Sequence, residues 1–229
     1  MCGRLGFLYS EEALAGQFGV EGPVSSPPRY NIAPGQPLAV VRLSSDRGGR
    51  EVVHLHWGLI PAWAKEVPAG ARMINARSET VNQKPAFRSA LRRRRCLAPA
   101  DFFYEWSKEK GKKQPYVFCR RDRRPFAIAG LWERWEGPDQ VIESCTLLTT
   151  SSNPLVKAVH DRMPVILAES DYSRWLDRAS AEETDLPALL APYTEKEMDS
   201  FAVGTYVNNP KNEGPECIES LPGREASFL

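Results

Sequence analysis

Short runs of β-branched and aromatic residues, cut at close intervals by proline, glycine or asparagine, constrain this chain more than any other feature. From Cys96 onward, Cys96 to Trp106, Pro115 to Cys119, Pro125 to Trp132 and Ser144 to Thr150 all read as strands. Lys110 to Lys113, with Gly111, reads as a hairpin turn between two of them. Earlier, Leu38 to Leu43 and Glu51 to Gly58 flank the turn Ser44 to Gly49, and Phe201 to Val207 makes the last strand. Helical signals are fewer. Ser10-Glu11-Glu12, then Ala13, Leu14 and Phe18 before Gly19, predicts a short capped helix with a glycine stop. Lys84 to Arg95 predicts a basic helix with Phe87, Ala90 and Leu91 turned inward, and Ser170 to Arg178 another short one. Asn153-Pro154 places asparagine at a cap and proline at the first helical position, predicting a helix that runs to about Arg162. Many strands with few short helices predict an α+β fold. We expect a single domain over 1–229, with a curved, largely antiparallel sheet or barrel-like core and short flanking helices.

Bulk properties exclude several classes. No apolar stretch is long enough to span a membrane, and no basic segment followed by an apolar run marks a signal peptide. The five cysteines (Cys2, Cys96, Cys119, Cys145, Cys217) are odd in number and widely spaced, with no C-x-x-C pair. That argues against a disulfide framework and a zinc site, and predicts a reducing cytoplasm. Net charge is only +1, but residues 84–124 hold 14 Lys/Arg against 4 Asp/Glu, and residues 125–229 hold 8 against 18. The basic run predicts either an anion-binding face or simply solvated turns.

Chemistry concentrates in a few residues. Removal of Met1 would leave Cys2 with an α-amine and a thiol on adjacent carbons, with pKa values of about 8 and 8.5. The amine can form an imine with an aldehyde, and the thiol can close on it to give a thiazolidine. An internal cysteine cannot do this, because its nitrogen is an amide. Cysteine at position 2 can also be chance. His54 and His56 alternate on one strand face, but no other ligand stands near them in sequence. His160 sits in Val159-His160-Asp161-Arg162-Met163-Pro164 at an expected helix end, where the dipole favours imidazolium. It is either an acid–base group or a helix-ending surface histidine. Glu105 lies in Asp101-Phe102-Phe103-Tyr104-Glu105-Trp106. Among aromatic neighbours its pKa would rise, unless strand alternation turns it to water. Asn75 and Arg77 alternate in Ile74-Asn75-Ala76-Arg77-Ser78-Glu79-Thr80, placing an amide and a guanidinium on one face, suited to sugar or phosphate oxygen.

Together these segments resemble the SOS-response-associated peptidase family. The resemblance rests on Cys2-Gly3-Arg4, Tyr30-Asn31-Ile32-Ala33-Pro34-Gly35, Trp57-Gly58-Leu59-Ile60-Pro61, Asn75 to Thr80, Pro99 to Trp106, and Val159 to Pro164, in order along most of the chain. It implies a protein that senses abasic sites in single-stranded DNA and crosslinks to them through the N-terminal cysteine. Cys2, Asn75, Glu105 and His160 match the family's active-site positions. Arg4, Arg77 and Arg162 match phosphate-holding positions, Trp106 matches a base-stacking one, and Pro34 and Trp63 resemble residues lining the DNA path. The family name implies peptidase activity as well, expected on the chain's own N-terminus. No metal or organic cofactor is implied. The expected partner is abasic single-stranded DNA, bound by a cytoplasmic monomer that joins the nucleoid with its DNA. One departure stands out: Phe102 occupies a position where the family usually has glycine, and is expected to reshape the edge of the groove. Two other classes fit parts of the sequence. Glutamine amidotransferases of the N-terminal nucleophile type also begin Met-Cys-Gly, and a non-covalent single-stranded DNA-binding module would leave Cys2 inert.

Overall fold

The structure is a computed structural model that describes residues 2–21, 27–44, 48–67, 69–70, 72–109, 112–177 and 186–221. The strands are β1 (Leu5–Phe7), β2 (Arg29–Ile32), β3 (Pro37–Leu43), β4 (Arg50–Trp57), β5 (Asn75–Arg77), β6 (Arg95–Ala100), β7 (Phe102–Glu109), β8 (Lys112–Arg120), β9 (Phe126–Glu136), β10 (Val141–Ser151), β11 (Arg162–Pro164), β12 (Ile166–Leu167) and β13 (Met198–Ala202). Five short α-helices flank them: α1 (Glu11–Phe18), α2 (Pro85–Arg93), α3 (Pro154–Lys157), α4 (Tyr172–Leu176) and α5 (Leu186–Leu189). None is long and apolar enough to cross a membrane among the described residues.

Two sheets make the α+β fold. In one, β10, β4, β3, β6 and β9 pair in a ring that closes back on β10, with β11, β12 and β5 added at its ends. Closure needs one parallel pairing, β10 with β4, at Ser144↔His56 and Cys145↔Trp57. The other sheet is antiparallel, in the order β13-β8-β7-β1-β2. One face of it joins the barrel core through Leu5, Phe103 and Phe118, and the two phenylalanines stack at 5.2 Å. The opposite face buries Phe102, Tyr104, Val117, Phe201, Val203 and Val207 in a second cluster. Burying each such side chain contributes roughly 1.5–3 kcal/mol, so the C-terminal segment is anchored by apolar area.

Local sequence signals account for the element starts. Ser10 accepts the Ala13 N–H and Gly19 takes the left-handed conformation (φ 61°), bounding α1 as expected. Asn153 caps α3 by accepting the Val156 N–H. That helix, however, ends at Lys157 rather than near Arg162, because Arg162 to Pro164 pairs with Ser151 to Thr149 of β10. The expected run from Cys96 to Trp106 is two strands, broken at Asp101. Phe87 is only partly buried, whereas Ala90 and Leu91 face inward. The last strand begins at Met198 and gives way to a 3-10 turn at Thr205–Asn208. The tips of both expected hairpin turns (45–47 and 110–111), and Arg178, lie outside the described residues.

Candidate active site

Four chain segments bring Cys2, Asn75, Glu105 and His160 together. Cys2 lies three residues before the start of β1, whose backbone is held by β7: Tyr104 N–H donates to Arg4 O at 3.0 Å, and Leu5 pairs with Phe103. Glu105, the next residue on β7, is therefore carried to the start of β1. Asn75 opens β5, which is fixed parallel to β10 at Asn75↔Leu147. Its Nδ2 donates to the Cys2 carbonyl at 2.7 Å, tying the N-terminus to the barrel. The amide oxygen of Asn75 is buried and accepts no hydrogen bond, so an acceptor stands unused beside the cysteine.

Electrostatics link the rest. Cys2 is fully buried, and burial followed by the Glu105 charge pushes its thiol well above the usual range, partly offset by the Arg4 N–H. Glu105 is 3% exposed; burial raises its carboxyl, while the nearby His160 charge pulls it back. A carboxyl raised by desolvation beside a histidine is an arrangement suited to donating and accepting protons. His160 Nδ1 lies 3.0 Å from the Arg162 N–H, which donates to it, and 3.3 Å from Arg162 O. Asp161 Oδ1 lies 3.1 Å from the same nitrogen. The helix-dipole argument for His160 is corrected here: α3 is a single turn ending three residues earlier, and the histidine is placed by β11 and its own loop instead.

The residues matched to DNA contacts divide into groups. Arg77, at the end of β5, is exposed, and its guanidinium meets no ion-pair partner among the described residues. Arg162 is mostly covered and bound in both directions: Nη1 and Nη2 donate to the two Glu79 carboxylate oxygens at 2.5 and 2.9 Å, and Nη2 to Thr149 O at 2.6 Å. Arg4 donates to Asn31 Oδ1 (2.6 Å) and Val207 O (2.7 Å) and lies 5.5 Å over the Trp106 ring. Trp106 is half-buried and donates to Asn208 Oδ1 at 2.7 Å. Pro34 is half-buried in the turn Ala33–Gln36, and Trp63 is 67% exposed on the loop between β4 and β5. No described hydrogen bond joins Pro34 or Trp63 to the four central residues. His54 and His56 lie on the outer face of β4, opposite buried Leu55 and Trp57, and no metal-holding cluster of three or more ligands occurs among the described residues.

Sequence reasoning missed two supporting residues. Asn31 is fully buried and satisfied, donating to the carbonyls of Val207, Asn209 and Asn212 while accepting from Arg4. Its signal was a polar residue among apolar strand neighbours. Glu79 gave no local sign, because its partner lies 83 positions away. Phe102 is corrected: it does not edge a groove but is wholly buried, its ring lying over Gly6, the residue it faces across β1 and β7. Within the basic run, Arg94, Arg120, Arg123 and Arg124 form ion pairs with Glu133, Asp122, Asp199 and Glu169, whereas Lys84, Arg88 and Arg93 stand exposed on and beside α2.

Comparison with known proteins shows what the chain resembles. The chain is 40% identical over 227 residues to "Abasic site processing protein YoqW" of Bacillus subtilis, covering 96% of this chain and 100% of that one. It is 31% identical over 226 residues to "Abasic site processing protein HMCES" of Xenopus tropicalis, covering 85% of this chain and 66% of that one. A crystal structure from Bacteroides thetaiotaomicron superposes with a TM-score of 0.85 at 24% identity, over 96% of this chain and all of the other. One from Bordetella bronchiseptica does so at 0.77 and 32%, over 89% of this chain and all of the other. The family model described as SOS response associated peptidase (SRAP) matches residues 1–210, and with the closed barrel and the four gathered side chains in view, the chain belongs to that family.

Proposed function

We propose that this protein processes abasic sites, and that it does so by becoming covalently joined to them on single-stranded DNA. The names of its relatives support the first part. The convergence of Cys2, Asn75, Glu105 and His160 from four separate segments supports the second. An abasic deoxyribose is mostly a closed hemiacetal. Glu105 and His160 assist its opening to the aldehyde by moving protons. Once Met1 is removed, the Cys2 α-amine attacks C1′ and water leaves, giving an imine. The thiol then adds across the C=N bond: sulfur bonds to C1′, its proton passes to nitrogen, and a thiazolidine results. One water is released for each amine, thiol and aldehyde joined. Asn75 holds the Cys2 carbonyl and offers its unused oxygen to the amine. Arg77 seats a flanking phosphate, and Trp106 supplies a stacking face that any base can use. The peptidase activity in the family name fits removal of the chain's own first residue, which the chemistry requires.

The test mixes protein with an oligonucleotide bearing one abasic site and scores a denaturation-resistant complex by gel and intact mass. Wild type should form it, and Cys2→Ala should lose it while still binding DNA. Protein verified by mass spectrometry to keep a blocked N-terminus should bind but not crosslink. A stable adduct from that blocked protein would exclude the α-amine as nucleophile and redirect the search to a lysine.

A further inference from the structure

We propose that Glu79 is an internal stand-in for phosphate, a carboxylate that occupies the anion seat of Arg162 until a DNA strand displaces it. The idea rests on the reading above, in which a strand passes Arg77, and on Arg162 matching a phosphate-holding position of the family. The geometry is specific. Glu79 faces Arg162 with two parallel hydrogen bonds, the fork-to-fork arrangement that a phosphate would also make. The two side chains differ sharply in exposure: Arg162 is 14% exposed and Glu79 49%. An anion approaching from solvent therefore meets the carboxylate first, and reaches the guanidinium only if Glu79 swings out.

The remaining contacts keep the cation in place when that happens. Arg162 Nη2 also donates to Thr149 O, and its Nε is buried and makes no hydrogen bond. Nη2 is thus anchored to β10 backbone, and the two donors that Glu79 vacates are the ones an incoming oxygen would take. Thr149 pairs with Arg77 across β5 and β10, so the open cation and the covered one sit on either side of the same residue. Arg77 would engage a phosphate first, and its neighbour would follow by exchange. In this arrangement Glu79 sets DNA affinity downward. It keeps a buried guanidinium paired in the free protein, where an unpaired one would be costly.

The sign of the effect is the test. Binding of an unmodified single-stranded oligonucleotide is measured by fluorescence anisotropy from low to high salt for wild type, Glu79→Gln, Glu79→Asp and Arg162→Ala. A thermal melt of each variant verifies folding. Glu79→Gln should bind about two- to fivefold tighter at low salt, the range expected for release of a partly exposed ion pair. The advantage should shrink toward unity at molar salt, where screening falls to about 3 Å. Glu79→Asp, still charged but too short to reach both nitrogens, should fall between. Adding Glu79→Gln to Arg162→Ala should recover less than it gains in wild type. Weaker binding by Glu79→Gln would make Glu79 a support for Arg162, and unchanged binding would mean the pair persists in the complex; either overturns the proposal while leaving DNA binding intact. Absence of salt-dependent binding by wild type would overturn both this proposal and the reading it rests on.

Discussion

At the scale of single residues, burial decides what the titratable groups can do. Glu105 is raised by desolvation and coupled to His160, so Glu105→Gln and His160→Ala should slow adduct formation by on the order of 10²–10⁴-fold, and weaken DNA binding much less. Rates under saturating DNA and separate binding curves check this. Equal losses in both would make the two side chains binding groups. Asp101 is a different case, away from the proposed chemistry. It sits between β6 and β7, 2% exposed, and accepts the Leu8 N–H at 2.5 Å. Burial lifts its carboxyl from 3.8 to about 7, against the pull of the Leu8 and Tyr9 N–H groups. Between those values the unfolded chain has released this proton and the folded chain holds it. Its contribution to stability is therefore full at acid pH and declines as pH rises toward 7. The slope is at most about 1.4 kcal/mol per pH unit. Asp101→Asn should flatten that decline in urea midpoints measured across pH 4–7; an unaltered slope would assign it to other groups.

Among elements, the pairing of β1 with β7 does most to place the site, and it depends on an exchange of volume. A methyl on Gly6 would come within 2.0 Å of the Phe102 ring. Gly6→Ala should destabilise by about 1–3 kcal/mol through overpacking, and Phe102→Ala by about 3–5 kcal/mol through the void it leaves. The double variant should lose clearly less than the sum, because the methyl enters space the ring vacated. Strict additivity in denaturant unfolding would show that the ring and the glycine are not a matched pair. This match was illegible in the sequence, where residues 6 and 102 gave no sign of facing each other. What could be read was local. The caps Ser10 and Asn153, the glycine stop at Gly19 and the runs that became β3, β4, β9 and β10 are set by side chains within a few residues. What could not be read was settled by distant partners: the early end of α3, where β10 captures Arg162, and the parallel contact of β4 with β10 that closes the ring. The four central residues were each singled out by local chemistry but joined only by resemblance, and nothing in their spacing alone links positions 2, 75, 105 and 160.

For the whole molecule, the exposed cations that stand outside ion pairs are the candidates to hold a strand. Arg77 is one of these among the described residues, so Arg77→Ala should weaken binding regardless of sequence and lower the log–log salt slope by roughly 0.7. An unchanged slope would move the phosphate track elsewhere, for instance to the exposed Arg88 and Arg93 on α2. The complete burial of Cys2 has its own consequence at this scale. On the proposed chemistry each molecule reacts once, and is then a consumed reagent. A reagent of that kind is wasted by every soluble aldehyde it meets. Enclosure makes its reactivity conditional, because a small aldehyde in solution finds the thiol covered, whereas a sugar held by its flanking phosphates is delivered to it. Discrimination then comes from admission and not from any unusual potency of the sulfur. Methylglyoxal should accordingly modify Cys2 far more slowly than it modifies free cysteine.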